Sequence, residues 1–81
     1  MMGQEIRWEF QANILYETQE DRDEVYSILT TNGISPNCVT GNGKRLEVST
    51  PGVNMTLFLR YSEIMMRFPT AEQSICLHKV G

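Results

Sequence analysis

Few side chains in this 81-residue sequence could perform chemistry. The single histidine, His78, stands two positions after Cys76, so on a strand the two would project from one face. Any Ser-His-Asp or Cys-His nucleophile would have to use it. With Cys38 nearby, the pair would make three ligands, yet no two have the short Cys-Cys or His-His spacing of zinc sites and no fourth ligand is evident. The expectation is no metal, no cofactor and no catalytic residue. The cysteines then read as two reduced, partly buried thiols, and His78 as a strand-end histidine beside one of them. A disulfide between them is open but not required.

A second candidate is Thr40-Gly41-Asn42-Gly43-Lys44-Arg45, which has the glycines and lysine of a phosphate-binding loop. A Walker-type loop needs an earlier glycine, then Gly-Lys-Ser/Thr opening a helix. Here Cys38 stands where the earlier glycine belongs, Arg45 follows Lys44, and the next residues alternate like a strand. Asn-Gly between strand-like runs signals a type I′ hairpin instead. With Asn42-Gly43 as its loop, Gly41 faces Lys44, Thr40 faces Arg45 and Val39 faces Leu46. Val39, Leu46 and Val48 then share a face, and Lys44 and Arg45 sit at an exposed tip, where they blunt the edge or touch a partner.

The third candidate is acidic. Glu20, Asp21, Asp23 and Glu24 could in principle do acid-base work. They fall at a helix start, where the macrodipole favours ionised carboxylates, and no pocket is implied. They read as dipole compensation on a solvated face or as a docking surface for a basic partner. Seven acids and two arginines up to Glu24 give −5, and three acids and five basic residues from Val25 onward give +2. That asymmetry makes general nucleic-acid binding unlikely and suits a basic partner surface. The aromatics Trp8, Phe10, Phe58, Tyr61 and Phe68 read as mostly core, and no RNA-recognition pattern accompanies them.

The elements that must position these groups follow from periodicity. Residues 5 to 16 alternate, with Ile6, Trp8, Phe10, Ala12, Ile14 and Tyr16 on one side, which predicts a strand with one buried face. It is long enough to bend near Ala12-Asn13 or to overhang its sheet. Thr18 with Asp21 three positions on resembles a capping box and opens a helix with an inner stripe of Val25, Ile28 and Leu29. Asn32-Gly33 ends that helix, and Ile34 can pack back. The hairpin follows, and Thr50-Pro51-Gly52-Val53-Asn54 is expected to break the chain. Asn54 then caps a helix carrying Leu57, Phe58, Tyr61, Ile64, Met65 and Phe68, the alternative being a Pro-Gly turn and two more strands. Pro69 ends the element. Ile75-Cys76-Leu77 and Val80 suit a short final strand, with a helix opened by Thr70 and Gln73 as the alternative.

The resulting β-α-β-β-α-β order predicts a small α+β two-layer sandwich with an antiparallel sheet and one or two helices on one face. It matches the ferredoxin-like pattern; the alternative is one helix on an antiparallel meander. The length fits one small domain, residues 1-81, that buries only about 60% of its unfolded surface. Composition is ordinary for a globular chain, with 41% hydrophobic and 21% charged residues. No apolar run suggests a membrane span, and Met1 to Glu5 lack the basic and apolar features of a signal peptide. A cytoplasmic setting is expected.

Asp23-Glu24-Val25-Tyr26-Ser27-Ile28-Leu29 and Gly43-Lys44-Arg45-Leu46-Glu47-Val48-Ser49, followed by Thr56-Leu57, resemble the small dimerising subunit of the tRNA-modifying KEOPS complex. That family shares the order strand, helix, hairpin, helix, and the resemblance implies a non-catalytic small subunit. Pro69 departs from it, standing where the family continues its helix.

Small size, absent catalytic constellations and charge asymmetry together point to a non-enzymatic protein-binding module: a small subunit, an adaptor or an inhibitor of the kind phages encode. Its expected contacts are Glu20, Asp21, Asp23 and Glu24, with Lys44 and Arg45 at the hairpin tip. The alternative is a small-ligand-sensing regulatory domain on the same scaffold. The long apolar first strand also predicts an open edge and a homodimer with Trp8 at or near its interface.

Overall fold

The computed structural model describes residues 7–80, and side chains for residues 8–79. The N-terminal reading of Met1 to Glu5 and the place of Ile6 on the first strand lie outside the described residues. The elements are β1 (Arg7–Tyr16), α1 (Gln19–Thr31), a 3-10 turn (Pro36–Cys38), β2 (Val39–Asn42), β3 (Arg45–Val53), α2 (Met55–Met65) and β4 (Thr70–Val80). They form one four-stranded sheet in the order β2-β3-β1-β4, antiparallel at every pairing. This is the split βαβ topology of an α+β sandwich. Both regions with open alternatives resolve toward it: residues 55–65 are helical, and residues 70–80 form a strand longer than the short one expected.

Alternation along β1 does what period two requires. Phe10, Ala12, Ile14 and Tyr16 are buried under the helices, while Glu9, Gln11, Asn13 and Leu15 face the other side. The strand is central, not marginal. It pairs with β3 from Trp8↔Val53 to Leu15↔Arg45, and with β4 from Arg7↔Val80 to Tyr16↔Thr70. The open edge expected of β1 is therefore filled by β4. Alternation reports a buried face and is silent about neighbours in the sheet plane.

Two further expectations change. Thr50-Pro51-Gly52-Val53 does not break the chain; β3 runs through it on a bulge. Phe10 pairs with Thr50 and Trp8 with Val53, and Gly52 adopts φ +72°. The bulge absorbs the proline, which has no N–H to give the ladder. The hairpin register also shifts: Asn42 faces Arg45, Gly41 faces Leu46 and Val39 faces Val48, with Gly43-Lys44 as the two-residue loop. Gly43 has φ +62°, and no non-glycine residue among those described has positive φ. A type I′ turn needs positive φ at both central residues; a glycine at the first of them alone suits type II′. Asn42 thereby avoids the left-handed region. Val39, Leu46 and Val48 keep their shared buried face because the slip preserves parity.

The helices behave as capped, amphipathic elements. The Thr18 hydroxyl accepts from the Asp21 N–H at 3.1 Å, and the Asn54 side chain accepts from the Leu57 N–H at 2.8 Å. At the end of α1 the Ile34 N–H returns to the Leu29 carbonyl, and Ile34 is buried. Val25 and Leu29 of α1 join Val39, Leu46 and Val48 in the core. Tyr61 and Phe58 of α2 meet Phe10 edge-on, with ring centroids 5.7 and 5.8 Å away. Burying each such large apolar side chain contributes roughly 1.5–3 kcal/mol.

Candidate functional site

The acidic start of α1 lies beside the β2 edge of the sheet. Glu20, Asp23 and Glu24 are exposed and Asp21 is half-buried. Between Asp21 and Asp23, Arg22 turns inward. Its guanidinium pairs with the Asp23 carboxylate through both Nε, at 3.0 Å, and Nη2. The same guanidinium lies against Gly41, where a Cβ would stand only 2.9 Å from Nη1. Gly41 thus gives the arginine room on the strand. Together Arg22, Asp23, Tyr26, Val39, Gly41 and Leu46 line a trough of about 340 Å³. Its lining joins the buried Val39 and Leu46 to the charged Arg22 and Asp23, and Tyr26 is 37% exposed.

Lys44 occupies the exposed hairpin turn, and its carbonyl accepts from the Tyr16 N–H at 2.9 Å. That bond holds the hairpin tip at the end of the sheet where α1 begins. The structure therefore brings Glu20, Asp23, Glu24 and Lys44 to one end of the molecule. Arg45 is placed differently. It is half-buried on the sheet face away from the helices, donating to Asn13 Oδ1 at 2.5 Å and Glu72 Oε1 at 3.0 Å. It links β3, β1 and β4 rather than projecting from the tip. Trp8 lies at the far end, half-buried between Val53 and Lys79. Arg22, Gly41 and Tyr26 were missed by sequence reasoning. Their signal was a glycine in a strand opposite a leucine, which marks close approach of another group.

The open face of the sheet is polar. Glu9, Gln11, Asn13, Thr40, Glu47, Ser49, Ser74, Cys76 and His78 lie on it, with Leu15 toward one end and no phenylalanine, tyrosine or tryptophan among its described residues. Ser49 donates to Glu9 Oε2 at 3.1 Å, and Gln11 donates to Glu9 Oε1 at 3.2 Å. A shallow groove of about 410 Å³ runs across this face. Cys76 Sγ and His78 Nε2 are 3.3 Å apart, as their shared face predicts. Cys38 sits at the β2 margin and Cys76 on β4, with β3 and β1 between, roughly 14 Å at ordinary strand spacing. The three do not converge, and no group of three His, Cys, Asp or Glu among the described residues is placed to hold a metal. Both thiols are free, Cys38 half-buried and Cys76 exposed.

No described helix is long and apolar enough to cross a membrane. After Pro69 the chain returns as β4 rather than extending α2, so the order strand, helix, hairpin, helix is only part of this fold. No protein family, curated protein or solved structure matches this chain in sequence or fold comparison.

Proposed function

We propose that this chain is a non-enzymatic protein-binding module, a small subunit, adaptor or phage-type inhibitor, that docks a partner bearing basic side chains. The observation that supports it is the trough between α1 and β2. Val39, Leu46, the exposed Tyr26 and the Arg22–Asp23 pair line it, the exposed Glu20 and Glu24 stand on the same helix, and the outer side of the adjoining sheet edge is unpaired among the described residues. Tyrosine is favoured at interface centres, and an edge strand can accept an extended segment by strand addition. Exposed carboxylates steer a basic partner and act on encounter rate more than on final affinity. The acidic half of the sequence supplies these carboxylates, which makes nucleic acid an unlikely partner. A cytoplasmic setting that keeps Cys38 and Cys76 reduced fits this reading.

Affinity capture from the native host with the tagged chain, followed by mass spectrometry, identifies the partner. Binding of the purified partner is then compared with a Glu20→Lys, Glu24→Lys variant. Both residues are exposed and make no ion pair among the described residues, so folding is expected to survive. Association slowed severalfold, with a shallower salt dependence, supports the site; unchanged affinity and salt slope reject it.

The polar groove on the open sheet face favours a second reading, small-ligand sensing. A thermal-shift screen against metabolites separates the two: a reproducible rise with one compound, lost in Gln11→Ala, favours the sensor.

A further inference from the structure

We propose that β4 is a self-pairing edge: two copies join antiparallel along β4 about a two-fold axis at Ile75, making one eight-stranded sheet with both helix pairs on the same side. The first observation is the edge itself. β4 spans eleven residues, Thr70–Val80, and among the described residues pairs only with β1. Natural edges are blunted by shortness, proline, lysine or bulges. β2, at the other edge, is four residues long. β4 contains no proline, and its only lysine, Lys79, lies near one end. Its one register irregularity lies near Thr70, at the other end.

The second observation is an apolar flank beside that edge. Met55 and Leu59 on α2 and Met66 at its C-cap recur at spacings of four and seven, along one side of the helix. They are 58%, 61% and 40% exposed. Leu57 and Ile64, on the opposite flank, are packed against the core. α1 contacts α2 and lies on the β2 side, where Arg22 meets Gly41. The exposed stripe therefore faces away from α1, over the β4 side of the sheet. Ile75 and Leu77 of β4, on the helix side, are only half-buried. Apolar helix flank, half-covered strand side chains and unpaired backbone form one continuous margin.

The third observation selects a second copy as the occupant. Antiparallel pairing keeps both helix layers on one side only when facing residues have the same parity. Centred on Ile75, that rule sets Ile75 against itself and Gln73 against Leu77 on the helix side. On the open side it sets Glu72 against His78 twice and Ser74 against Cys76 twice. Glu72 keeps its pair with Arg45 and faces His78, which is neutral at pH 7, and Lys79 faces Ala71, so the register sets no like charges against each other. The same rotation brings the two α2 stripes toward each other across the axis.

Two measurements on the full chain test this. Light scattering across a hundredfold dilution should give twice the 9.3 kDa chain mass at the high end. Leu59→Glu, at an exposed position that leaves the fold intact by circular dichroism, should raise the dissociation constant at least about tenfold by placing a charge in the joint. A short bis-maleimide should link Cys76 of one copy to Cys76 of the other, diagonal neighbours in this register. The covalent dimer should form in Cys38→Ser and be lost in Cys76→Ser. A constant monomer mass, or cross-linking that needs Cys38 instead, overturns the proposal. So does a dimer that Leu59→Glu leaves unchanged.

Discussion

The Tyr16 hydroxyl donates a 2.6 Å hydrogen bond to the carbonyl oxygen of Met65, tying the last residue of β1 to the last turn of α2. Met65 is among the final four residues of its helix, whose carbonyls have no intrahelical partner. One buried phenol therefore completes a helix end and anchors it over the central strand.

Tyr16→Phe should lower stability by about 1–2 kcal/mol, since it leaves a buried carbonyl unpaired at nearly constant volume. Its pH dependence is also specific. Burial chiefly, and the Asp21 carboxylate in addition, push the Tyr16 phenol well above the ordinary tyrosine range. The folded state thus holds this proton more tightly than the unfolded state. The stabilisation is full below a pH of about 10, the ordinary tyrosine value, and shrinks as pH rises beyond it. Urea midpoints measured at rising alkaline pH should fall more steeply for the wild type than for Tyr16→Phe. Parallel curves would reject the assignment.

Asn54 is the sole side chain seen capping the start of α2, and its Oδ1 accepts from the Leu57 N–H. Asn54→Ala should cost about 1 kcal/mol, and Asn54→Asp should cost little. Thermal melts of the two variants check the ranking.

Ser62 of α2 has a buried hydroxyl oxygen with no hydrogen-bond partner among the described residues. Removing an unsatisfied hydroxyl relieves desolvation, and alanine is the better helix former. Ser62→Ala should leave stability unchanged or raise it by up to about 1 kcal/mol, measured by denaturant titration. A loss above about 1 kcal/mol would show that the hydroxyl has a partner after all.

Local signals were legible in the sequence and lateral ones were not. The caps at Thr18 and Asn54 and the helix exit at Asn32-Gly33 rest on contacts within a few residues, and the buried face of β1 shows in its own alternation. The slot of β1 between β3 and β4 depends on pairing across 30 to 45 positions with β3, from Leu15↔Arg45 to Trp8↔Val53, and 54 to 73 with β4, from Tyr16↔Thr70 to Arg7↔Val80, which alternation does not encode. Pro51-Gly52 looked like a break because a bulge and a turn use the same residues; only pairing with Trp8 and Phe10 distinguishes them. Arg45 looked free because its partners, Asn13 and Glu72, are remote in sequence.

Gly41 and Gly52 offer opposite tests of what a glycine is for in this fold. Gly52 has φ +72° with nothing within 4 Å of an added Cβ, so Gly52→Ala meets backbone strain and no crowding. That strain is worth roughly 1–2 kcal/mol, and it falls on the β3 bulge, away from the trough. Gly41 has no positive φ, and its Cβ would meet only the guanidinium of Arg22. That group is the far end of a flexible side chain, so Gly41→Ala should cost less than about 1 kcal/mol. The displaced guanidinium must, however, leave its place in the trough and loosen its pair with Asp23. If the trough docks a partner, Gly41→Ala should weaken binding severalfold while melting near wild type. Gly52→Ala should melt lower and bind normally when folded. Equal binding by the two folded variants would remove the trough from the interface.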